Sequence, residues 1–521
     1  MKKMIFPVIC LLLGTVLSGC TGGNQPETTD ESVETPAASE TVDTESDEII
    51  PLTPEEVAAS LFADAAPLAI STVCHEVTIP GMDLAAVQNA FMKHGYTLIP
   101  TKSVDGTKLQ TAVLSDTEWV VTLIETSGGS LHVLWEKADE VSIAPLTPDE
   151  NALQGEVKLV QLGTAREDEN KDNPMIGMCY VYRLGDGTAV IIDGGYNTRS
   201  CSQNIWRALK KLDIAKNDED KYVITAWIFT HGHDDHVGAF QYFARAYGKK
   251  TTLTYVMHGI PVDDVGVIGN SAPDFDATVR EYYPDALRVS PHAGLRYYFG
   301  NLSIDELYNP ELLYTSENKI TWYNNTSLIM RYTANGHSAL FFGDAGEQAA
   351  TAAWTENDAA AFVSDFLQIT HHGLYTNGEG EEPESHIWDN IKHIYDATGA
   401  SVGLLPMGTR KATSAFSGRY LTIIERGLPN ARQVTYVTNP RDDHGLDVTE
   451  ECYDQFLADV AAGTAAYDTL LGYDGVNIWT NEAGMTTYMS AAELEPMATE
   501  FALTESGITV VDNDILDAWL H

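Results

Sequence analysis

Between Thr230 and His236 the chain reads Thr-His-Gly-His-Asp-Asp-His, which sets His231, His233, Asp235 and His236 within six residues. In an extended turn, side chains two residues apart project the same way, so His231 and His233 can converge on one cation. Asp235 and His236, at the entry to a helical pattern that starts at Val237, can face a second cation beside it. Imidazole nitrogens with a carboxylate suit zinc and also accept manganese or iron. Further candidates lie on either side. Asp193 ends an apolar run from Thr188 to Ile192, Gly343-Asp344 ends another from Ala339 to Phe342, and Thr370-His371-His372-Gly373 follows Phe366–Ile369. A Gly-Asp pair is usually a turn, but here it closes a strand pattern just ahead of a second histidine cluster. A solvated His-rich loop would not repeat this placement at several strand ends.

Such groups need elements that hold them at one edge. Val157–Leu162 reads as a strand, Met178–Arg183 and Thr188–Ile192 as a hairpin around Gly185-Asp186-Gly187, and Ser202–Leu212 as a helix. Tyr222–Phe229 is an apolar strand, and the His-rich loop leaves its end directly. Asn324–Met330 leads into a strand, Ala334-Asn335-Gly336 turns it, and Ala339–Phe342 returns. Strand and helix patterns alternating in this way point to an α/β (α+β) fold with ligands on the loops at strand ends.

The loop matches in full the HxHxDH motif of the metallo-β-lactamase superfamily, and the chain resembles that family from about Gly155 to Met489. An amidohydrolase barrel also puts His-x-His after a strand, but it does not need the Asp-His pair that follows. The resemblance implies an αββα sandwich with the metals at the edge of its two sheets and with Asp193 bracing the metal loop. The order NNxSL (Asn324 to Leu328), GD (Gly343-Asp344) and HHG resembles the branch containing competence DNA-uptake metallo-hydrolase domains and teichoic-acid phosphorylcholine esterases. It implies two divalent ions, with zinc expected first and manganese or iron as alternatives. Asp344 would bridge them, and His371 or His372 would complete one. The branch's final Gly-His-Pro loop is missing, since Met407–Lys411 holds no histidine. His444 then stands as the replacement, closing the second metal with Asp235 and His236 and leaving one histidine of HHG to His231 and His233. His258 and His292 are weaker candidates, and His337, His386, His393 and His521 read as solvated. Two cations about 3.5–4 Å apart acidify a shared water, so that a metal-bound hydroxide exists at neutral pH, and neutralise charge on substrate oxygens. The expected reaction is hydrolysis, with Asp235, Asp344 and Asp193 as its carboxylates. The branch favours phosphodiesters. An ester, lactone or β-lactam hydrolase on the same site, or a non-catalytic metal-binding surface protein, are the rivals. Tyr255, Asn325 and Arg410 are pocket candidates without assigned roles.

The start of the chain predicts its address. Met1-Lys2-Lys3 is a basic lead, Met4–Leu17 is apolar, and Leu17-Ser18-Gly19-Cys20 resembles the bacterial lipobox, which implies lipidation of Cys20 and anchoring to the outer face of the cell membrane. Residues 21–50 are rich in Thr, Ser, Glu, Asp and Pro and read as a flexible acidic tether. A small α+β domain is expected over 51–145, ending in a linker near Pro145–Asn151. It carries no recognisable chemistry, with His75, His94 and His132 isolated. The hydrolase domain is expected over 155–490 and a C-terminal extension over 491–521. The 521 residues are 44% hydrophobic, enough for sizeable cores. With 31 Lys+Arg against 75 Asp+Glu the formal charge is −44, which disfavours long nucleic acid as a partner but not a local cationic site. The 6 cysteines form no CxxC pair, so no thiolate zinc site is indicated.

Overall fold

The computed structural model describes residues 51–62, 66–164, 177–261, 275–314, 320, 322–373, 389–406, 433–435, 477–480, 486–489 and 498–510. Along Tyr222–Phe229, Ala226 and Ile228 enter one core cluster and Trp227 and Phe229 another, the alternation that a pleated strand imposes. Both faces of this strand are therefore covered. It lies inside an eight-stranded sheet ordered Leu287–Val289, Thr251–His258, Tyr222–Phe229, Ala189–Asp193, Cys179–Arg183, Val157–Leu162, Ala498–Thr504 and Gly507–Val510. Tyr222–Phe229 pairs in parallel with both neighbours, so a crossover must connect each pair. Helices Arg199–Lys211 and Asp234–Tyr247 are those crossovers, and Ile205, Leu209, Phe240 and Phe243 seat them on the sheet's outer face.

A nine-stranded sheet faces the first, ordered Arg296–Phe299, Leu302–Tyr308, Ile329–Ala334, His337–Phe341, Phe366–Gln368, Val402–Leu404, Gln433–Thr435, Thr486–Met489 and Asn477–Thr480. Its Ile304, Tyr332 and Phe341 meet Tyr180, Ile192 and Ile228 of the first sheet in one core. Phe342, one residue on, packs edge-on against Tyr395 of helix Asp389–Thr398 at 5.5 Å between ring centroids. Helix Glu347–Glu356 lies beside that helix, and Glu347 receives the backbone N–H groups of Asn390 and Ile391 at 2.8 and 3.1 Å. The architecture is the expected α/β (α+β) sandwich. Among the described residues, no helix is long and apolar enough to cross a membrane.

Two boundary expectations are corrected. Ala498–Thr504 pairs antiparallel with Val157–Leu162 and buries Phe501 and Leu503 between the sheets, so 498–510 belongs to the sandwich and is not an extension. Nor does residue 145 end a separate domain. The segment from Pro54 forms helices Pro54–Leu61 and Leu84–Lys93 and a six-stranded antiparallel sheet, including the expected strands around 110–137 and the unexpected His75–Pro80 and Thr97–Ile99. Its Val113 and Val120, with Leu146 from the expected linker, enter the core of the sandwich. His132, read as isolated, is buried in close contact with Glu76. Cys20, His386, Arg410, His444, Cys452, His521 and the tether lie outside the described residues.

Candidate metal centre

The strand Tyr222–Phe229 delivers Thr230 to a buried corner where Asp193 fixes the loop. The Asp193 carboxylate accepts the Thr230 N–H and the Thr230 hydroxyl, both at 2.8 Å, and its Oδ2 lies 2.6 Å from Nδ1 of His236. Asp193 itself sits at φ 52°, a left-handed conformation that turns the chain at the strand end. With Nδ1 of His236 bonded to a carboxylate, its proton resides there and the Nε2 lone pair points inward.

Asp344 meets that lone pair from the opposite sheet. Gly343 has φ 54°, and a Cβ there would lie 2.8 Å from Thr230 Oγ1, so only glycine lets the two loops approach. Ser327, from the Asn-Asn-Thr-Ser-Leu segment, accepts the Asp344 N–H at 3.1 Å. Asn325 accepts the N–H groups of Gly346 and Ala349 at 3.1 and 3.3 Å and so holds the start of the following helix.

The two oxygens of Asp344 look in different directions. Oδ1 lies 3.2 Å from His236 Nε2 and 3.3 Å from His372 Nε2, and His372 Nε2 is 3.2 Å from Asp235 Oδ2. Oδ2 lies 3.8 Å from both His231 Nε2 and His371 Nε2, and His231 Nε2 is 3.0 Å from His233 Nδ1. Two sets of donor atoms result, Asp235–His236–Asp344–His372 and His231–His233–Asp344, the atoms of each within 4.8 Å of one another. The expectation that one histidine of HHG faces the metals is widened here. His371 and His372 both have positive φ, 47° and 54°, which splays consecutive side chains to the two sides of one carboxylate.

The donor chemistry fits cations. His372 Nδ1 is 2.6 Å from the carbonyl of Pro406 and must donate there, so its Nε2 is a bare lone pair, as is that of His236, 3.3 Å away. Both face Asp344 Oδ1, which is buried and has no hydrogen-bond partner. Acceptors converging on acceptors in a dry corner are stabilised by a positive charge between them. Without one, the protein answers by protonation. Burial opposes charge on His236 and His372, yet Asp344 and the other carboxylates around them raise both, His372 to about 9. Burial opposes ionisation of Asp344, but His236, His372 and His371 hold it well below the usual carboxylate range. Burial, together with neighbouring imidazoles, pushes His231 well down, and burial takes His371 to about 4, leaving both neutral.

Residues 172–287 match the family model of the metallo-beta-lactamase superfamily, a span that includes Asp193 and the whole loop from His231 to His236. The chain carries a metallo-beta-lactamase superfamily domain. Similar solved structures include the metallo-beta-lactamase fold protein YhfI from Bacillus subtilis, at 14% identity over 54% of this chain and 96% of that one, with a TM-score of 0.32. Zn(2+)-bound PqqB from Methylobacterium extorquens is 12% identical over 54% and 97%, with a TM-score of 0.35. A diphosphatase from the PhnP family is 15% identical over 48% and 85%, with a TM-score of 0.26. No curated protein matches the chain.

The remaining sequence candidates fall elsewhere. His258 is buried 3.7 Å from Asp276, and His292 sits between Glu136 and Glu311. Tyr255 packs on Phe299, against the core between the sheets. His337 is half-buried, its Nε2 3.0 Å from the carbonyl of Thr504, and is not the solvated position expected. Two residues beside the domain's loops escaped the sequence reading. The Tyr323 ring lies 4.8 Å from that of His233, and the Trp322 ring 5.1 Å from that of His371. Their signal was an aromatic pair placed immediately before Asn324-Asn325.

Proposed function

We propose that this protein is a hydrolase of phosphodiesters that depends on two divalent ions, zinc foremost, and works outside the cell on a lipid anchor at Cys20. The observation that carries the hydrolase reading is the Asp344 carboxylate, buried between two sets of inward-facing donors with one oxygen turned to each. Bound there, the ions acidify water and neutralise charge on the substrate's oxygens. His231, His233 and His371 would hold one, and Asp235, His236 and His372 the other, with Asp344 shared. Asp344 also orients the attacking water and receives its proton, while Asp193 keeps the His236 lone pair aimed inward. Asp193, His231, His236, Asp344 and His372 are buried, whereas His233, Asp235 and His371 are partly exposed and leave a side open to a substrate.

The order NNxSL, GD, HHG supports a phosphodiester substrate, a cell-wall polymer, phosphorylcholine-type ester or nucleotide rather than long nucleic acid, which the charge of −44 disfavours. The lipobox-like Leu17–Cys20 supports the anchor, and Cys20→Ser should release the protein from the membrane fraction. Loaded with zinc or manganese, the chain should cleave bis(4-nitrophenyl) phosphate in preference to a chromogenic β-lactam. Asp344→Ala should lower that rate by at least a hundredfold while the circular dichroism spectrum is retained. Equal or faster β-lactam cleavage overturns the phosphodiester assignment.

A further inference from the structure

The segment 51–145 has no chemistry of its own in the sequence, yet it reaches the metal centre through one side chain. Ile70, Leu109, Ile124 and Leu134 of that segment share a buried cluster with Tyr314 and Tyr323. Tyr323 is only 5% exposed, and its other face lies on the metal loop. Its ring is 4.8 Å from His233 and 6.3 Å from His231, and a Cβ on Gly232 would come within 2.4 Å of its hydroxyl oxygen. The loop between His231 and His233 is thus seated on Tyr323, and Tyr323 is seated on the N-terminal sheet.

A second set of contacts fixes the same junction independently. Glu136 of strand Ser130–Lys137 is 3.4 Å from His292 Nε2, Glu311 is 2.9 Å from His292 Nδ1, and Glu311 also accepts the Ala293 N–H at 2.8 Å. Thr111 donates to the Ala293 carbonyl at 3.0 Å, and the Val104 N–H to the Gly294 carbonyl at 3.0 Å. The cavity left beside Glu136 and His292 is about 20 Å³, water-sized, so the junction is packing and not a second ligand site.

We infer that the 51–145 segment is the back wall of the metal centre and that Tyr323 is a positioning residue through which it fixes His231 and His233. The inference rests on the metal-centre reading above. It assigns the segment to the site instead of to a separate partner. Loss of the wall acts on one of the two donor sets, because His236 is held by Asp193, His372 by Pro406 and Asp235 lies against His372, and none of the three belongs to this cluster.

The test titrates cobalt(II) into the metal-free full chain and follows the d–d absorption, with circular dichroism as the check on folding. The wild type should take two equivalents. Tyr323→Ala and Leu109→Ala should weaken one equivalent at least tenfold and leave the other as it was, and Tyr323→Phe, which keeps the ring, should restore both. Leu109→Val supplies the milder case should Leu109→Ala fail to fold, and it should weaken the same equivalent less. Two unchanged equivalents in folded Tyr323→Ala overturn the inference and leave the metal centre standing. Loss of both equivalents together in a folded variant also overturns it, because the wall would then act on the whole site. A wild type that binds no cobalt overturns the metal reading itself, and this inference with it.

Discussion

A carboxylate separated from the metal by one side chain can still decide a metal's affinity. Asp193 touches no open part of the centre, yet it holds both Thr230 and Nδ1 of His236. Asp193→Asn offers an amide that donates where the loop needs an acceptor, so zinc affinity at the His236 set should fall about 10–100-fold, measured by competition with a chromogenic chelator. The histidine pair makes a sharper forecast. His371 faces the same Asp344 oxygen as His231, and His372 the same oxygen as His236. His371→Ala and His372→Ala should therefore each reduce bound metal from two towards one, and in different sets. The Asp235–His236–Asp344–His372 set already numbers four donors without His444. His444→Ala should leave the stoichiometry at two, and a drop to one would restore His444 as a ligand. The ligand types and their loop were legible in the sequence, because two-residue spacing off a strand has few other uses. The division of labour between His371 and His372 was not. It depends on positive φ at two successive histidines, and that conformation is set by tertiary contacts such as the Tyr395 hydroxyl accepting the Thr370 N–H.

Elements were read well where burial is two-sided and poorly where a strand depends on a distant partner. Tyr222–Phe229 was found to the residue, since an apolar run bounded by a polar loop leaves little choice. Ala498–Thr504 was missed because only Phe501 and Leu503 mark its inner face, and its partner lies more than three hundred residues earlier. The same reasoning applies to His292, whose neighbours Glu136 and Glu311 come from other elements. Burial opposes its charge, but those carboxylates raise it from 6.5 to about 10, and they keep it cationic at neutral pH. Its contribution to stability is therefore complete below about pH 6.5 and is lost as pH rises towards 10. Burial opposes ionisation of Glu136, but His292 and Ser290 hold it below its ordinary 4.5, so its share is present above that value and fails in acid. His292→Gln should cost about 3–5 kcal/mol near pH 6, the scale for breaking a buried pair, and much less near pH 10. Chemical denaturation across pH 5–10 checks this, and parallel curves for wild type and variant would remove His292 as the source.

At the scale of the molecule the metal centre is a seam. Asp193 and the His231–His236 loop leave the eight-stranded sheet, whereas Asp344 and the His371–His372 turn leave the nine-stranded one. The sheets are joined through their shared apolar core, but at this edge they meet through buried polar groups whose lone pairs oppose one another. Cations held by both sides bind only the folded chain, so they add stability by mass action, about 4 kcal/mol when free metal exceeds its dissociation constant a thousandfold. Chelation should lower the melting temperature measurably, and stoichiometric zinc should restore it. The size of the change discriminates. In Asp344→Ala the seam loses its shared carboxylate, so chelation should shift its melting temperature far less than that of the wild type. Equal shifts in the two proteins would place the stabilising metal somewhere other than between the sheets.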